Sequence, residues 1–141
     1  MDTNVLVYAS RSTAGAHRQA TDALARAEDE GDELCVSRQV LREYLATVTR
    51  PQADAMPLKP ELAAADLRRF AEIYTVLEDG PAATEQLLRL VTCFPTGGKR
   101  VHDANLVATM LAHGVTRLLT FNEADFRRFG AAVTLEIIEP T

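Results

Sequence analysis

The chain has 141 residues, of which 47% are hydrophobic and 25% charged, and this composition fits one globular domain over residues 1–141. Its formal net charge of −5 provides no general attraction for nucleic acid or for an anionic membrane. The sequence contains no run of about 18 apolar residues and no basic-then-apolar start, so we expect neither a membrane span nor a signal peptide. Cys35 and Cys93 lie far apart among apolar neighbours, which is typical of reduced core thiols in a cytoplasmic protein.

Short strand-like segments alternate with longer helix-like segments, and this alternation favours an α/β fold with a central, mainly parallel sheet. Residues 5–9 are apolar and strand-prone, although a short helical turn after Asp2 is also compatible with them. The remaining pattern predicts, in chain order, a helix over 16–30, a strand over 34–36, a helix over 37–48, a loop over 51–60, a helix over 61–73, a strand over 74–77, a helix over 82–93, a loop over 95–98, a helix over 102–113, a strand over 117–120, a short helix over 123–129 and a strand over 133–138. In the helix over 61–73 we expect four residues to face inward, Leu62, Ala65, Phe70 and Ile73.

Isolated acidic residues occur beside several apolar segments, where predicted strands meet predicted helices. Asp2 precedes the first apolar segment, Glu43 lies near the start of the helix after the 34–36 strand, and Asp103 opens another helix. Thr120 and Asn122 directly follow the 117–120 strand. In an open parallel α/β sheet, ligands bind beyond the carboxyl ends of the strands. The pattern therefore predicts that these side chains converge on one crevice.

Carboxylates that converge in this way repel one another unless cations neutralise them. Mg²⁺ or Mn²⁺ prefers oxygen ligands and keeps bound waters that can become nucleophiles. Such a site can align water with a phosphodiester and stabilise the charge on the departing oxygen. The chemistry predicted from these residues is therefore metal-dependent phosphodiester hydrolysis, with either one or two metal ions.

Four segments that carry these residues stand in a definite order along the chain. They are Asp-Thr-Asn-Val-Leu-Val-Tyr at 2–8, Ser37-x-x-Val40-x-x-Glu43, His-Asp-Ala-Asn-Leu at 102–106, and Thr120-Phe121-Asn122-x-x-Asp125-Phe126. Together they resemble the ordered motifs of PIN-domain ribonucleases, and most of all the VapC toxins of type II VapBC toxin–antitoxin systems. The resemblance covers essentially the whole chain.

The resemblance implies an α/β/α sandwich with endoribonuclease activity on structured RNA, leaving a 3′-hydroxyl and a 5′-phosphate. It also implies an Mg²⁺ or Mn²⁺ cofactor, a small VapB-like antitoxin that blocks the site, and a homodimer. By position, Asp2, Glu43 and Asp103 match the three core acids that bind metal and take part in catalysis. Asp125 matches the acid of the family's Asp-Phe pair and is a fourth catalytic candidate.

The chain departs from the family pattern at two places. The family's fourth acid stands two residues after the strand-end hydroxyl, where this chain has Asn122. Asn122 could bind a metal-bound water, Asp125 could substitute, or the affinity for metal could be lower. Family members also have several apolar residues before the first Asp, forming a central strand, whereas only Met1 precedes Asp2. We expect either that this strand is nearly absent or that the true start lies upstream.

Two pairs of basic residues are candidates for contact with RNA phosphates. Lys99 and Arg100 follow two glycines in the 95–98 loop, which we expect to be mobile. Arg38 and Arg42 lie where the 34–36 strand meets its helix, and in both pairs plain solvated charges are the alternative. Two other functions also remain open: a catalytically weak or inactive partner-binding domain, and a nuclease of RNA processing that is not a toxin.

Overall fold

The computed structural model describes residues 1–52 and 55–141 of the chain. In chain order the helices and strands are α1 (Thr3–Ser10), α2 (His17–Asp29), β1 (Cys35–Ser37), α3 (Arg38–Val48), α4 (Pro60–Ile73), β2 (Thr75–Leu77), α5 (Pro81–Cys93), α6 (Val101–Ala112), β3 (Arg117–Thr120), α7 (Glu123–Phe126) and β4 (Thr134–Ile137). Two 3₁₀ helices, Gly98–Arg100 and Arg127–Phe129, lie directly before α6 and after α7. The predicted loop over 51–60 falls partly on residues 53 and 54, which lie outside the described residues.

The strands form two parallel pairs, as the α/β prediction requires. β1 pairs with β2, and β3 pairs with β4. The N-terminal residues connect the two pairs: the amino group of Met1 donates to the Cys35 carbonyl at 2.9 Å, and the Asp2 amide donates to the Leu119 carbonyl at 3.0 Å. Met1 and Asp2 therefore lie between β1 and β3, and Asp2 is fixed at the junction.

Residues 5–9 are helical, so the strand alternative for this segment is wrong. The Asp2 carboxylate accepts a hydrogen bond from the Thr3 amide at 2.6 Å and caps α1, as an acid at a helix start commonly does. Val5, Leu6 and Val7 are all buried, although they point in different directions around the helix. A helix that is buried on most sides has no amphipathic pattern. Its apolar, β-branched sequence is therefore indistinguishable from that of a buried strand.

The α3 helix agrees with the sequence prediction, because its cap and its apolar face lie where expected. The Ser37 hydroxyl accepts from the Val40 amide at 3.1 Å, which satisfies one of the free amides of the first turn. Val40, Tyr44 and Val48 are completely buried, and they pack this helix into the core. Glu43 lies beside that face and is therefore directed to its edge.

The inward face of α4 differs from the prediction. Ala63 and Phe70 are buried, whereas Ala65 is exposed and Leu62 and Ile73 are 57% and 59% exposed. Phe70 packs edge-on against Tyr44 of α3, with ring centroids 5.0 Å apart. The sequence has apolar residues along two adjacent faces of this helix, and the packing of the two aromatic rings determines which of them is buried. Within the described part of the chain, no helix is long and apolar enough to cross a membrane.

Candidate active site

Asp2 is buried and both of its carboxylate oxygens are held. Oδ1 accepts from the Thr3 amide at 2.6 Å, and Oδ2 accepts from the Thr120 hydroxyl at 2.9 Å. Burial raises the pKa of the Asp2 carboxyl, while the hydrogen bonds from Thr120 and Thr3 work in the opposite direction. The carboxylate is therefore fixed between the start of α1 and the end of β3.

Glu43 is held by hydrogen bonds from two directions. Its Oε2 accepts from the Thr3 hydroxyl at 2.6 Å, and its Oε1 accepts from Gln39 Nε2 at 2.7 Å. The same Gln39 nitrogen donates to the His102 carbonyl at 2.8 Å, and Gln39 Oε1 accepts from Asn105 Nδ2 at 2.8 Å. Glu43 is thus connected to α1 through Thr3 and to α6 through Gln39.

Asp103 lies in the first turn of α6 and is only partly buried. Burial, followed by the negative charges of Asp125, Asp2 and Glu43, raises the pKa of Asp103 to about 6. The nearby Arg128 acts against this rise. The charges of Asp125, Asp2 and Glu43 therefore all act on Asp103.

The donor chemistry of this cluster suits a hard divalent cation, because Asp2, Glu43 and Asp103 are carboxylates and Asn122 has an amide oxygen. Burial first, and then the charges of the neighbouring acids, raise the pKa of Asp103, and a bound cation would offset the second of these causes. Within residues 1–52 and 55–141, however, no three side chains of Asp, Glu, His or Cys are spaced so that they could hold a metal ion. The residue types therefore suit Mg²⁺ or Mn²⁺ in donor chemistry and in charge, but protein hydrogen bonds hold the described side chains in positions that do not form a three-ligand site.

The candidates after β3 have different surroundings. Thr120 is completely buried, and its hydroxyl donates to Asp2 and accepts from the Asn122 amide at 2.9 Å. Asn122 occupies the N-cap position of α7, but its side chain makes no capping hydrogen bond there. Asp125 is exposed on α7, and its charge acts on Asp103. Thr120 thus orients Asp2, and both candidates for a fourth ligand adjoin the cluster.

The basic candidates divide into two groups. Arg38 makes a bidentate ion pair with Glu78, in which Nη2 lies 2.6 Å from Oε1, and Arg42 lies 3.5 Å from Asp79. Lys99 and Arg100 are exposed in the 3₁₀ helix before α6, where a mobile loop was expected. Two of the four cations are therefore already engaged by acids of their own chain.

Two residues that hold the acids, Thr3 and Gln39, were not among the sequence candidates, and neither was Asn105, which holds Gln39. Gln39 stands four residues before Glu43 on the same helix, which places the two side chains on one face. That spacing could have indicated the Gln39–Glu43 contact. The contacts to α6 depend on tertiary packing and have no local sequence signal.

Comparisons with known proteins agree with the predicted family and fold. A family model described as "PIN domain" matches residues 1–132. Ribonuclease VapC48 of Mycobacterium tuberculosis is 29% identical over 130 residues, covering 91% of this chain and 89% of the relative. Ribonuclease VapC24 of the same species is 29% identical over 132 residues, covering 92% of this chain and 90% of the relative.

The fold is also similar to that of a solved structure. A chain in the crystal structure of VapBC2 from Rickettsia felis, bound to a DNA fragment from their promoter, matches with a TM-score of 0.69. The match covers 98% of this chain and 96% of the other, at 20% sequence identity. A sequence identity of 20% supports a shared fold and nothing further. The structural match confirms the α/β prediction.

Proposed function

Because this chain belongs to the PIN domain family, we propose that it is a metal-dependent endoribonuclease toxin that hydrolyses RNA phosphodiester bonds. The observation that carries the proposal is the convergence of Asp2, Glu43 and Asp103, with Asp125 beside them, at the junction of α1, α3 and α6. Ribonuclease names among its relatives add support. Asp2, Glu43 and Asp103 each stand in one of the ordered motifs by which the sequence resembles PIN-domain ribonucleases.

In the proposed mechanism, Asp2, Glu43 and Asp103 would hold Mg²⁺ or Mn²⁺, which would supply an activated water and offset charge on the phosphate. Thr120 and Thr3 orient the Asp2 carboxylate, and Gln39 orients Glu43. Oriented ligands matter because small displacements of reacting groups cost large factors in rate. Asp125 or Asn122 would be the fourth ligand.

The experiment for this proposal is cleavage of RNA by the purified chain with Mg²⁺ or Mn²⁺. We expect activity that is abolished by excess EDTA and by Asp103→Asn. Glu85→Gln, which neutralises an exposed acid of α5, is the matched control and should retain activity. Full activity in EDTA or in the Asp103→Asn variant would refute the mechanism.

The proposed partners are a small VapB-like antitoxin and a second copy of this chain. The support is the Rickettsia felis structure, which is described as a VapBC pair. A small open reading frame beside the gene should encode the antitoxin, and co-expression should give a complex in which RNA cleavage is suppressed. Light scattering of the chain alone should give the mass of a dimer. If co-expression leaves cleavage unaffected, a nuclease of RNA processing replaces the toxin in this proposal.

A second candidate function is a partner-binding domain that cuts RNA weakly or not at all. The observation that favours it is the absence, among the described residues, of three acids spaced to hold a metal ion. Asn122 in place of the family's fourth acid has the same implication. Calorimetric titration with Mn²⁺ separates the two functions, because binding in the millimolar range or tighter supports the nuclease and absence of binding supports the partner-binding domain.

A further inference from the structure

A basic hollow of about 580 Å³ lies between the end of α5 and the 3₁₀ helix after α7. It is lined by the guanidinium-bearing residues Arg100, Arg127 and Arg128 and by Phe94, Pro95 and Cys93. None of the described residues that line it is acidic. In a chain with a net charge of −5, such a concentration of positive charge around one hollow suggests an anionic ligand.

Residues of the basic hollow stand close in sequence to two acids of the cluster. Arg100 is the residue immediately before α6, and Asp103 lies in the first turn of that helix. Asp125 of α7 lies three residues before Arg128. The positive charge of Arg128 lowers the pKa of Asp103 and so opposes the rise that burial and the other acids cause. A ligand in the hollow would therefore lie next to any group bound at the acids.

The arginines of the hollow are more available than those beside β1. Arg127 pairs with Glu123 at 3.3 Å, but the two side chains are 72% and 49% exposed, and such pairs contribute about 0–1 kcal/mol. Within residues 1–52 and 55–141, neither Arg100 nor Arg128 forms an ion pair. An anion can therefore be bound here without breaking a strong internal contact.

Aromatic rings support this part of the surface. Arg128 lies over the ring of Phe129, with 5.7 Å from its guanidinium carbon to the ring centroid. Phe94 packs edge-on against the same ring, with centroids 5.8 Å apart, and remains partly exposed at the hollow. Guanidinium groups beside an exposed aromatic ring can contact both parts of a single-stranded nucleic acid, its phosphates and its bases.

We propose that the basic hollow binds a single-stranded part of the RNA next to the cleaved bond, with Arg100, Arg127 and Arg128 on backbone phosphates and Phe94 against a base. The proposal rests on the proposed function for the nature of the ligand. In this proposal, the positive charge that RNA requires near the acids comes from the arginines of the basic hollow. The other two arginine candidates, Arg38 and Arg42, are already paired with Glu78 and Asp79.

The test is fluorescence anisotropy with a labelled single-stranded RNA of about twelve nucleotides, titrated in EDTA over a range of salt concentrations. We expect Arg100→Ala and Arg127→Ala each to weaken binding by about fivefold at low salt. The logarithm of the binding constant falls with the logarithm of the salt concentration, and each variant should make this fall shallower. The slope should decrease in magnitude by about 0.7, the value for one single-strand phosphate contact. Arg127→Lys should restore the slope because it keeps the charge, and Arg68→Ala on α4 is the matched control.

Cys93 provides a second readout, since it lines the hollow and is exposed. Bound RNA should slow alkylation of Cys93 by a maleimide. Cys35 serves as an internal reference on another side of the molecule, and burial raises the pKa of its thiol, so that it reacts slowly. Unchanged alkylation of Cys93 at saturating RNA would contradict occupation of the hollow.

Binding in EDTA does not depend on cleavage, so the two proposals can fail separately. Weakened binding in the arginine variants supports the hollow even where the wild-type chain cuts no RNA. An Arg100→Ala/Arg127→Ala double variant with wild-type affinity and salt slope would overturn it, even if the wild-type chain cuts RNA. If that variant keeps RNA binding but loses the antitoxin, the hollow accepts an acidic protein segment and the RNA assignment is wrong.

Discussion

Replacing Gln39 by alanine removes the side chain that connects Glu43 to α6. Gln39 is 7% exposed and takes part in three hydrogen bonds, donating to the Glu43 carboxylate and the His102 carbonyl and accepting from Asn105. The variant leaves these three groups without that partner. It should therefore reduce both the stability of the fold and the orientation of Glu43.

The size of the effect follows from the partners. A hydrogen bond to a charged group contributes about 1.5–3 kcal/mol, and each neutral one about 1 kcal/mol. A hollow of about 480 Å³, lined in part by Gln39, Glu43 and Asn105, allows water to reach the freed groups and reduces the loss. We therefore expect the free energy of unfolding to fall by about 2–3 kcal/mol, which corresponds to about 7–10 °C in Tm for a domain of this size.

Thermal unfolding of Gln39→Ala in EDTA measures the stability term without a contribution from metal. Gln86→Ala, a half-buried glutamine of α5, is the matched control and should change Tm by no more than about 2 °C. RNA cleavage by Gln39→Ala, measured well below its Tm, should show kcat reduced by about tenfold with a smaller change in KM. A variant with wild-type Tm and wild-type kcat would refute the positioning role of Gln39.

Three further substitutions test other parts of the site and core. Asp103→Asn should stabilise the metal-free protein at pH 7.5 by about 1 kcal/mol, a value reduced for solvent screening of this partly exposed group. Because the pKa of Asp103 is raised from 3.8 to about 6, its contribution to stability is complete below pH 3.8 and is lost as pH rises through about 6. Urea unfolding at pH 5 and 7.5 should show that the variant removes this pH dependence, and a destabilised variant would contradict the repulsion. Thr120→Val should lower the rate of RNA cleavage by about tenfold, because Asp2 loses a hydrogen bond. Thr120→Ser keeps the hydroxyl and should retain the wild-type rate. Equal rates for the two variants would exclude the hydroxyl from the mechanism. Tyr44→Phe should lower the free energy of unfolding in urea by about 1–2 kcal/mol, because the variant loses the hydrogen bond that the Tyr44 hydroxyl donates to Asp66 at 2.7 Å. Burial raises the pKa of Tyr44 to about 12, so the hydroxyl keeps its proton. An unchanged urea midpoint would show that the hydrogen bond contributes nothing.

Some basic residues near the acids are engaged in ion pairs and others are available, and this difference affects the direction from which RNA would approach the acids. The chain repels a polyanion overall, so the direction of approach depends on local charge. Arg38 and Arg42 are neutralised by acids that follow β2, whereas Arg100 and Arg128 form no ion pair among the described residues and Arg127 pairs only with the exposed Glu123. Sequence proximity to a catalytic acid did not distinguish these cases, since all of them stand close to a predicted site residue.

The sequence by itself determined the α/β class, most element boundaries and the family. These features have local causes: Ser37 caps α3, Pro60 begins α4, and periodic apolar residues define each helical face. The resemblance in motif order also singled out Asp2, Glu43 and Asp103 as metal-binding acids, and that assignment stays a prediction.

Only the tertiary structure decided which partners hold these acids and which faces are buried. The Thr120–Asp2 bond joins residues 118 positions apart, and Gln39 meets Asn105 across 66 positions. No local pattern encodes such contacts, because they depend on how α1, α3 and α6 pack. The same reason explains why residues 5–9 are a helix: burial on most sides, which only packing provides, removes the periodicity that would have distinguished helix from strand.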